Sequence, residues 1–224
     1  MPESTIDVRH LRTHFFTRDG VAKAVEDISF SLGSGEVLGL VGESGSGKTV
    51  TGFSILGLVD APGKVVGGEI LFKGRDLLKL PQEEMRKVRG NQLAMVFQDP
   101  MTSLNPVVKI GRQVSEHVRK HLGTSKKEAR QLGIELLRSV RIPEPERAFN
   151  AFPHELSGGM RQRVSIAIAL ACSPKLLFAD EPTTALDVTV QHQILNLLGI
   201  QQTERDMAMV LITLSLIHIS EPTR

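Results

Sequence analysis

Two stretches carry residue types suited to gripping a triphosphate and splitting it. Gly42-Glu43-Ser44-Gly45-Ser46-Gly47-Lys48-Thr49 fits the spacing G-x-x-x-x-G-K-[ST]. Glycines let successive backbone N–H groups converge on phosphate oxygens, and a helix opening at Lys48 would aim its positive end at them. Lys48 would bridge the β- and γ-phosphates and the Thr49 hydroxyl would ligate Mg²⁺; the plain alternative is a flexible turn. Lys175 to Glu181 is the second stretch. An apolar strand there delivers Asp180 to its carboxyl end, where a carboxylate can hold Mg²⁺ through water, and Glu181 follows to polarise an attacking water. Alone, this is an acidic turn before Pro182. Beside a phosphate loop it reads as catalytic.

Leu156-Ser157-Gly158-Gly159-Met160-Arg161-Gln162-Arg163 adds a second anion-receptive helix start, with Ser157 as N-cap. One γ-phosphate needs a single such loop in cis, so a second suggests a nucleotide held by another subunit; a simple capped helix is the other reading. Arg161 and Arg163 would brace this helix and its contacts rather than touch phosphate.

These residues need elements to position them. Ile28 to Leu32 alternates as a half-buried strand, and Glu36 to Val41 has the pattern of a buried parallel strand. The spacing predicts a helix over 48–58, strands over 69–73 and 93–97, a helix over 159–171, a strand over 175–179, a helix over 188–203 and a strand over 209–213. From about 99 to 157 the strand signals give way to helical ones. The clearest is a capping box, Ser125 with Glu128, ahead of Ala129, Leu132, Leu136, Leu137 and Val140, and Pro143 and Pro145 close that helix. Strands alternating with helices predict an α/β fold with a largely parallel sheet and a helical insertion.

Composition excludes several classes. The 224 residues are 41% hydrophobic and 23% charged, so the chain is neither disordered nor collagen-like. Lys and Arg exceed Asp and Glu by 27 − 25 = 2, and Trp and Tyr are absent, which argues against a nucleic-acid partner. The single cysteine, Cys172, rules out an intrachain disulfide, fits a reducing compartment and reads as a buried structural thiol. The longest apolar stretches, Val164 to Cys172 and Met207 to Ile219, fall short of the roughly 20 residues that span a bilayer. His117 and His121 sit four apart with a metal-binding spacing, but Arg119, Lys120 and the lack of nearby Cys or Asp favour a solvated face; His154 and His192 read the same way.

The phosphate loop, Gln98 after a strand, the LSGGMRQR segment, the acidic strand end and Ala185-Leu186-Asp187, in that order, resemble the ATP-binding cassette (ABC) ATPases over residues from about 5 to 213. The resemblance implies a P-loop NTPase core with an N-terminal antiparallel β part, a cassette over 1–213 with the helical subdomain at about 99–157, and a head-to-tail dimer with two ATP molecules between phosphate loop and signature segment. It implies that Gln98 senses Mg²⁺ and the attacking water, that Asp187 contacts the opposite site, and that Phe15, with Phe16 as rival, stacks on adenine. Phe97 to Pro106 and Glu181 to Gln191 resemble ATPase subunits of bacterial oligopeptide, dipeptide and nickel importers. The implied setting is the cytoplasmic side of the plasma membrane, bound peripherally to integral permease subunits, with a second ATPase subunit, homo- or heteromeric, and indirectly an extracytoplasmic substrate-binding protein.

The family places a γ-phosphate histidine directly after the strand ending at Thr213, where this sequence has Leu214. Leu214 to Arg224 matches, residue for residue, the in-frame translation of a transposon-end sequencing adapter. The expectation is therefore that the native sequence stops at Thr213, that 214–224 is an assembly scar, and that the fragment lacks the histidine and later strands and turns over ATP poorly. Two other functions compete: a soluble ABC-type ATPase acting on DNA ends or ribosomes, and a nucleotide-binding module with little turnover. Only 157 − 49 = 108 residues separate Thr49 from Ser157, without heptads, which excludes the DNA-repair branch with its long coiled coil.

Overall fold

The computed structural model describes residues 4–184 and 186–213; the expected scar over 214–224 and Ala185 lie outside the described residues. Two four-stranded sheets organise the chain. One is antiparallel and built from β1 (Ile6–Thr17), β2 (Gly20–Leu32), β4 (Gly63–Phe72) and β5 (Arg75–Asp76), in the order β2-β1-β4-β5. The other is parallel and built from β3 (Val37–Val41), β6 (Leu93–Val96), β7 (Leu176–Asp180) and β8 (Ala208–Thr213), in the order β3-β8-β7-β6.

The helices are α1 (Lys48–Leu56), α2 (Gln82–Val88), α3 (Pro100–Ser103), α4 (Ile110–Leu122), α5 (Lys126–Ser139), α6 (Pro145–Asn150), α7 (Gly158–Leu170) and α8 (Val188–Glu204). Four of them, α3 to α6, lie between β6 and α7. The capping box is present: Ser125 Oγ accepts from the Glu128 N–H at 3.3 Å, and the Glu128 carboxylate accepts from the Ser125 N–H at 2.8 Å.

The parallel sheet separates two cores, and its period of two decides which side chain enters which. Leu176 and Phe178 of β7, with Ala208, Val210 and Ile212 of β8, face β1, β2, β4 and α1. Leu177 and Ala179, with Met209 and Leu211, face α4, α5, α7 and α8. All five β7 residues are buried, so this strand is apolar on both faces until Asp180. A buried hydroxyl pair, Thr13 and Ser54 at 2.7 Å, fastens β1 to α1.

Two expectations are corrected. The strand before the phosphate loop is parallel, but among the described residues β3 pairs only with β8, and Val37 is 52% and Val41 43% exposed where the sequence predicts a buried strand. His117 and His121 do not form a solvated face either. Their rings lie tilted by 49° with centroids 4.8 Å apart, half-buried against the turn at Gly90, whose carbonyl accepts from His117 Nε2 at 3.0 Å. Burial lowers the pKa of both imidazoles below the ordinary histidine value; Lys120 adds to the shift at both rings and His117 adds to it at His121, while the Gly90 bond opposes it at His117. Cys172 is a half-buried thiol that burial pushes up to about 11, which keeps it protonated and unreactive at neutral pH.

Candidate functional site

Everything in the site hangs on three strand ends. β3 runs into the loop Gly42–Gly47, and α1 begins at Lys48. Gly47 caps α1 with φ 88°, and a Cβ there would stand 2.1 Å from the Ala24 carbonyl of β2. Backbone conformation and space both demand glycine. Gly45 also has positive φ, whereas a side chain at Gly42 would meet Ser46 Oγ at 2.8 Å. The Ser46 N–H donates to the Glu43 carbonyl at 3.2 Å, which curls the loop and leaves Ser44 at its outer turn.

Lys48 is 6% exposed, and its ammonium donates to the carbonyls of Gly42 (2.8 Å) and Glu43 (2.7 Å). No carboxylate pairs with it among the described residues. A buried ammonium held only by neutral carbonyls over an N–H-lined loop is poised for an anion.

β7 ends beside this loop. Thr49 Oγ1 donates to Asp180 Oδ1 at 3.1 Å, joining residues 131 apart in the chain. Asp180 is 3% exposed, and burial pushes its carboxyl above the usual carboxylate range; Glu181 adds to that rise, while the Thr49 bond and Lys48 oppose it. A hydroxyl and an under-compensated buried carboxylate are hard oxygen donors, and a divalent cation would supply the missing positive charge. This pair fits Mg²⁺, which binds through one or two protein oxygens plus phosphates and water. Among the described residues no group of three or more His, Cys, Asp or Glu could hold a metal, so no fuller protein cage competes.

Glu181 has left-handed backbone (φ 42°) and donates its N–H to the Ile212 carbonyl of β8 at 3.0 Å. Its Oε2 accepts from Gln98 Nε2 at 3.0 Å and from Thr184 Oγ1 at 2.9 Å. Gln98 and Glu181 thus meet across 83 residues as the end of β6 meets the end of β7. Thr184 carried no signal in the sequence: Thr183 and Thr184 look equivalent until the turn is seen.

Ser157 to Gly159 stand apart. Ser157 caps α7 by accepting from the Met160 N–H at 3.3 Å. Gly158 and Gly159 pack on the segment that opens α8: added Cβ atoms would lie 3.6 Å from Leu186 and 2.8 Å from Val190. Asp187 caps α8 by accepting from the Val190 N–H at 3.0 Å. Among the described residues no hydrogen bond joins Ser157, Gly158, Gly159 or Asp187 to Gly42–Thr49. Arg161 ties α7 to the Leu156 carbonyl at 3.1 Å, and Arg163 ties it to the Val140 carbonyl and the Gln193 side chain, both at 3.0 Å. Phe15 is half-buried on β1 opposite Ala22, two residues from the Ala24 carbonyl that faces Gly47, whereas Phe16 is 49% exposed.

A glycine-rich loop after β3, an acidic strand end two strands away and a helical insertion between β6 and α7 define an α/β nucleotide-cassette architecture. Residues 25–184 match the family described as ABC transporter, and the chain belongs to that family. It is 54% identical over 217 residues to a protein of Sinorhizobium fredii named probable peptide ABC transporter ATP-binding protein y4tR, covering 96% of this chain and 65% of that protein. It is 50% identical to the oligopeptide transport ATP-binding protein OppD of Escherichia coli K12 (97% of this chain, 64% of that protein) and 50% identical to the dipeptide protein DppD of the same organism (96% and 66%). The chain therefore spans about two thirds, or slightly less, of the length of these curated relatives. Among solved structures, the dimeric bacterial ABC transporter cassette MJ0796 superposes with TM-score 0.84 at 28% identity, covering 95% of this chain and 89% of that one. A further MJ0796 structure, a dimeric post-hydrolysis state bound to ADP and Pi, gives the same TM-score at 27% identity.

Proposed function

We propose that the chain binds ATP with Mg²⁺ and hydrolyses it as the energising subunit of an ABC importer for peptides, with nickel as the other cargo class. The observation that carries the chemistry is the 3.1 Å contact between Thr49 and Asp180, with Gln98 and Glu181 bonded beside it. The peptide cargo rests on the names of the relatives.

Lys48 would exchange its two loop carbonyls for the β- and γ-phosphates, and backbone N–H groups at the start of α1 would bond the same oxygens. Thr49 and Asp180 would hold the magnesium. Bound magnesium neutralises charge on the transferred phosphoryl group. Glu181 orients a water and takes one of its protons; the water oxygen bonds to the γ-phosphorus as the bond to the β-phosphate oxygen breaks. ADP leaves with that electron pair, and inorganic phosphate is the second product.

The remaining parts of the site belong to a dimer. Ser157, Gly158 and Gly159 would close on the triphosphate held by the partner subunit, Asp187 would touch the opposite site, and Phe15 would stack on adenine. The assembly would sit on the cytoplasmic face of the plasma membrane against permease subunits, fed indirectly by an extracytoplasmic binding protein. Among the described residues no helix is long and apolar enough to cross a membrane, so the permease would do the spanning.

Titration calorimetry with Mg-ATP and a phosphate-release assay test this reading. The parent chain should bind, Lys48→Ala should lose binding at least tenfold, and Glu181→Gln should bind normally while hydrolysis falls about 10²–10⁴-fold. A parent that binds no ATP, or turnover indifferent to Lys48→Ala, overturns it. The importer assignment is tested separately by co-purification with permease subunits from membranes.

A further inference from the structure

The left-handed backbone of Glu181 bends the chain so that Thr184 returns to it twice. The Thr184 N–H donates to the Glu181 carbonyl at 3.3 Å, and the Thr184 hydroxyl donates to Glu181 Oε2 at 2.9 Å. Gln98 donates to the same oxygen at 3.0 Å. A carboxylate oxygen offers about two in-plane lone pairs, and both on Oε2 are engaged. No described residue bonds to Oε1. The turn has its own brace: Gln191 Nε2 donates to the carbonyls of Thr183 (3.1 Å) and Leu186 (3.0 Å), bracketing Thr184 from the first turn of α8.

We infer that Thr184 is a positioning residue for Glu181, clamping Oε2 together with Gln98 so that Oε1 is the atom presented to the attacking water. Glutamate has three side-chain torsions, and one hydrogen bond leaves the carboxylate free to swing about the tethered oxygen. Two donors on that oxygen, from β6 and from the turn after β7, fix both its place and the plane of the group. Thr183 takes a different part in the turn, its carbonyl accepting from Gln191 Nε2. The clamp also lies next to Leu186, which packs on Gly158 at the start of α7. The carboxylate is therefore mechanically continuous with the segment that would face a second subunit.

This inference rests on the hydrolysis proposed above, and the test separates the two. Thr184→Val keeps the shape and removes the hydroxyl; Thr184→Ser keeps the hydroxyl and removes a methyl. Steady-state hydrolysis should show kcat down about tenfold for Thr184→Val, KM for Mg-ATP within about twofold, and Thr184→Ser restored to within about threefold of the parent. Added to Glu181→Gln, Thr184→Val should cause no further loss, because the clamped carboxylate is already gone. A hydrolysing parent with Thr184→Val at the parental rate, valine and serine variants falling together, or full additivity with Glu181→Gln each overturn the positioning role and leave the ATPase reading standing. A parent without hydrolysis removes both.

Discussion

The demands on single residues in the phosphate loop differ in kind. Gly47 is required twice over, by φ 88° and by an Ala24 carbonyl 2.1 Å from where its Cβ would be. Gly47→Ala should therefore cost about 1–3 kcal/mol of stability in urea denaturation and abolish nucleotide binding in calorimetry. Gly45→Ala meets no neighbour, so its cost should come from backbone strain alone. Ser157 is a helix cap in the isolated chain, and Ser157→Ala should cost about 1 kcal/mol whether or not a second subunit is present. The loop and the acidic pair were legible in the sequence because each is contiguous: eight residues in one case, two in the other. Thr184 was not, because its role depends on the direction of a turn set by the backbone at Glu181.

Among the elements, α4 joins the helical insertion to the strand side of the molecule. Its buried stripe, Ile110, Val114 and Val118, has helical spacing, while His117 and His121 lean on Gly90. Both histidines have folded-state values lowered by burial, so the folded protein favours neutral rings. Their contribution to stability is complete above the unfolded histidine value of about 6.5 and is lost as pH falls through the lower folded values, because the unfolded chain takes up protons first. Melting temperature should therefore drop from pH 7.5 to pH 5 by more in the parent than in a His117→Gln/His121→Gln variant, measured by scanning calorimetry. Gly111 lies where α4 meets α6, and a Cβ there would stand 2.2 Å from the Phe149 ring and 2.5 Å from its carbonyl oxygen. Gly111→Ala should lower stability by about 1–3 kcal/mol without altering nucleotide affinity. Arg119, Lys120 and the lack of nearby Cys or Asp suggested a solvated face for the two histidines, because sequence neighbours do not reveal what packs on a helix face.

For the whole molecule, the consequential fact is that the helix starts at α1 and α7, both proposed to receive phosphate, share no hydrogen bond among the described residues. If they meet only across a dimer seam, a mixture of Lys48→Ala and Ser157→Arg proteins should form heterodimers with a single complete pocket. Hydrolysis in an equimolar mixture should recover to about a quarter of the parental rate, since half the dimers are mixed and each has one of two pockets intact. Activity of either variant alone should stay low. A strictly monomeric parent turning over at full rate would count against the seam, as light scattering alongside the assay would reveal.

What the sequence determined by itself is chemistry that survives in a local string: the phosphate loop, the carboxylates at the end of an apolar strand, the capped helices, the alternation of strand and helix. Short-range geometry is enough for these, because capping and loop curvature involve residues within a few positions of one another. Tertiary structure decided the rest. It brought Thr49 to Asp180 and Gln98 to Glu181, and chose Thr184 over Thr183. Those outcomes depend on strand order and on the contacts of elements 80 to 130 residues apart, which no local pattern of residue types encodes.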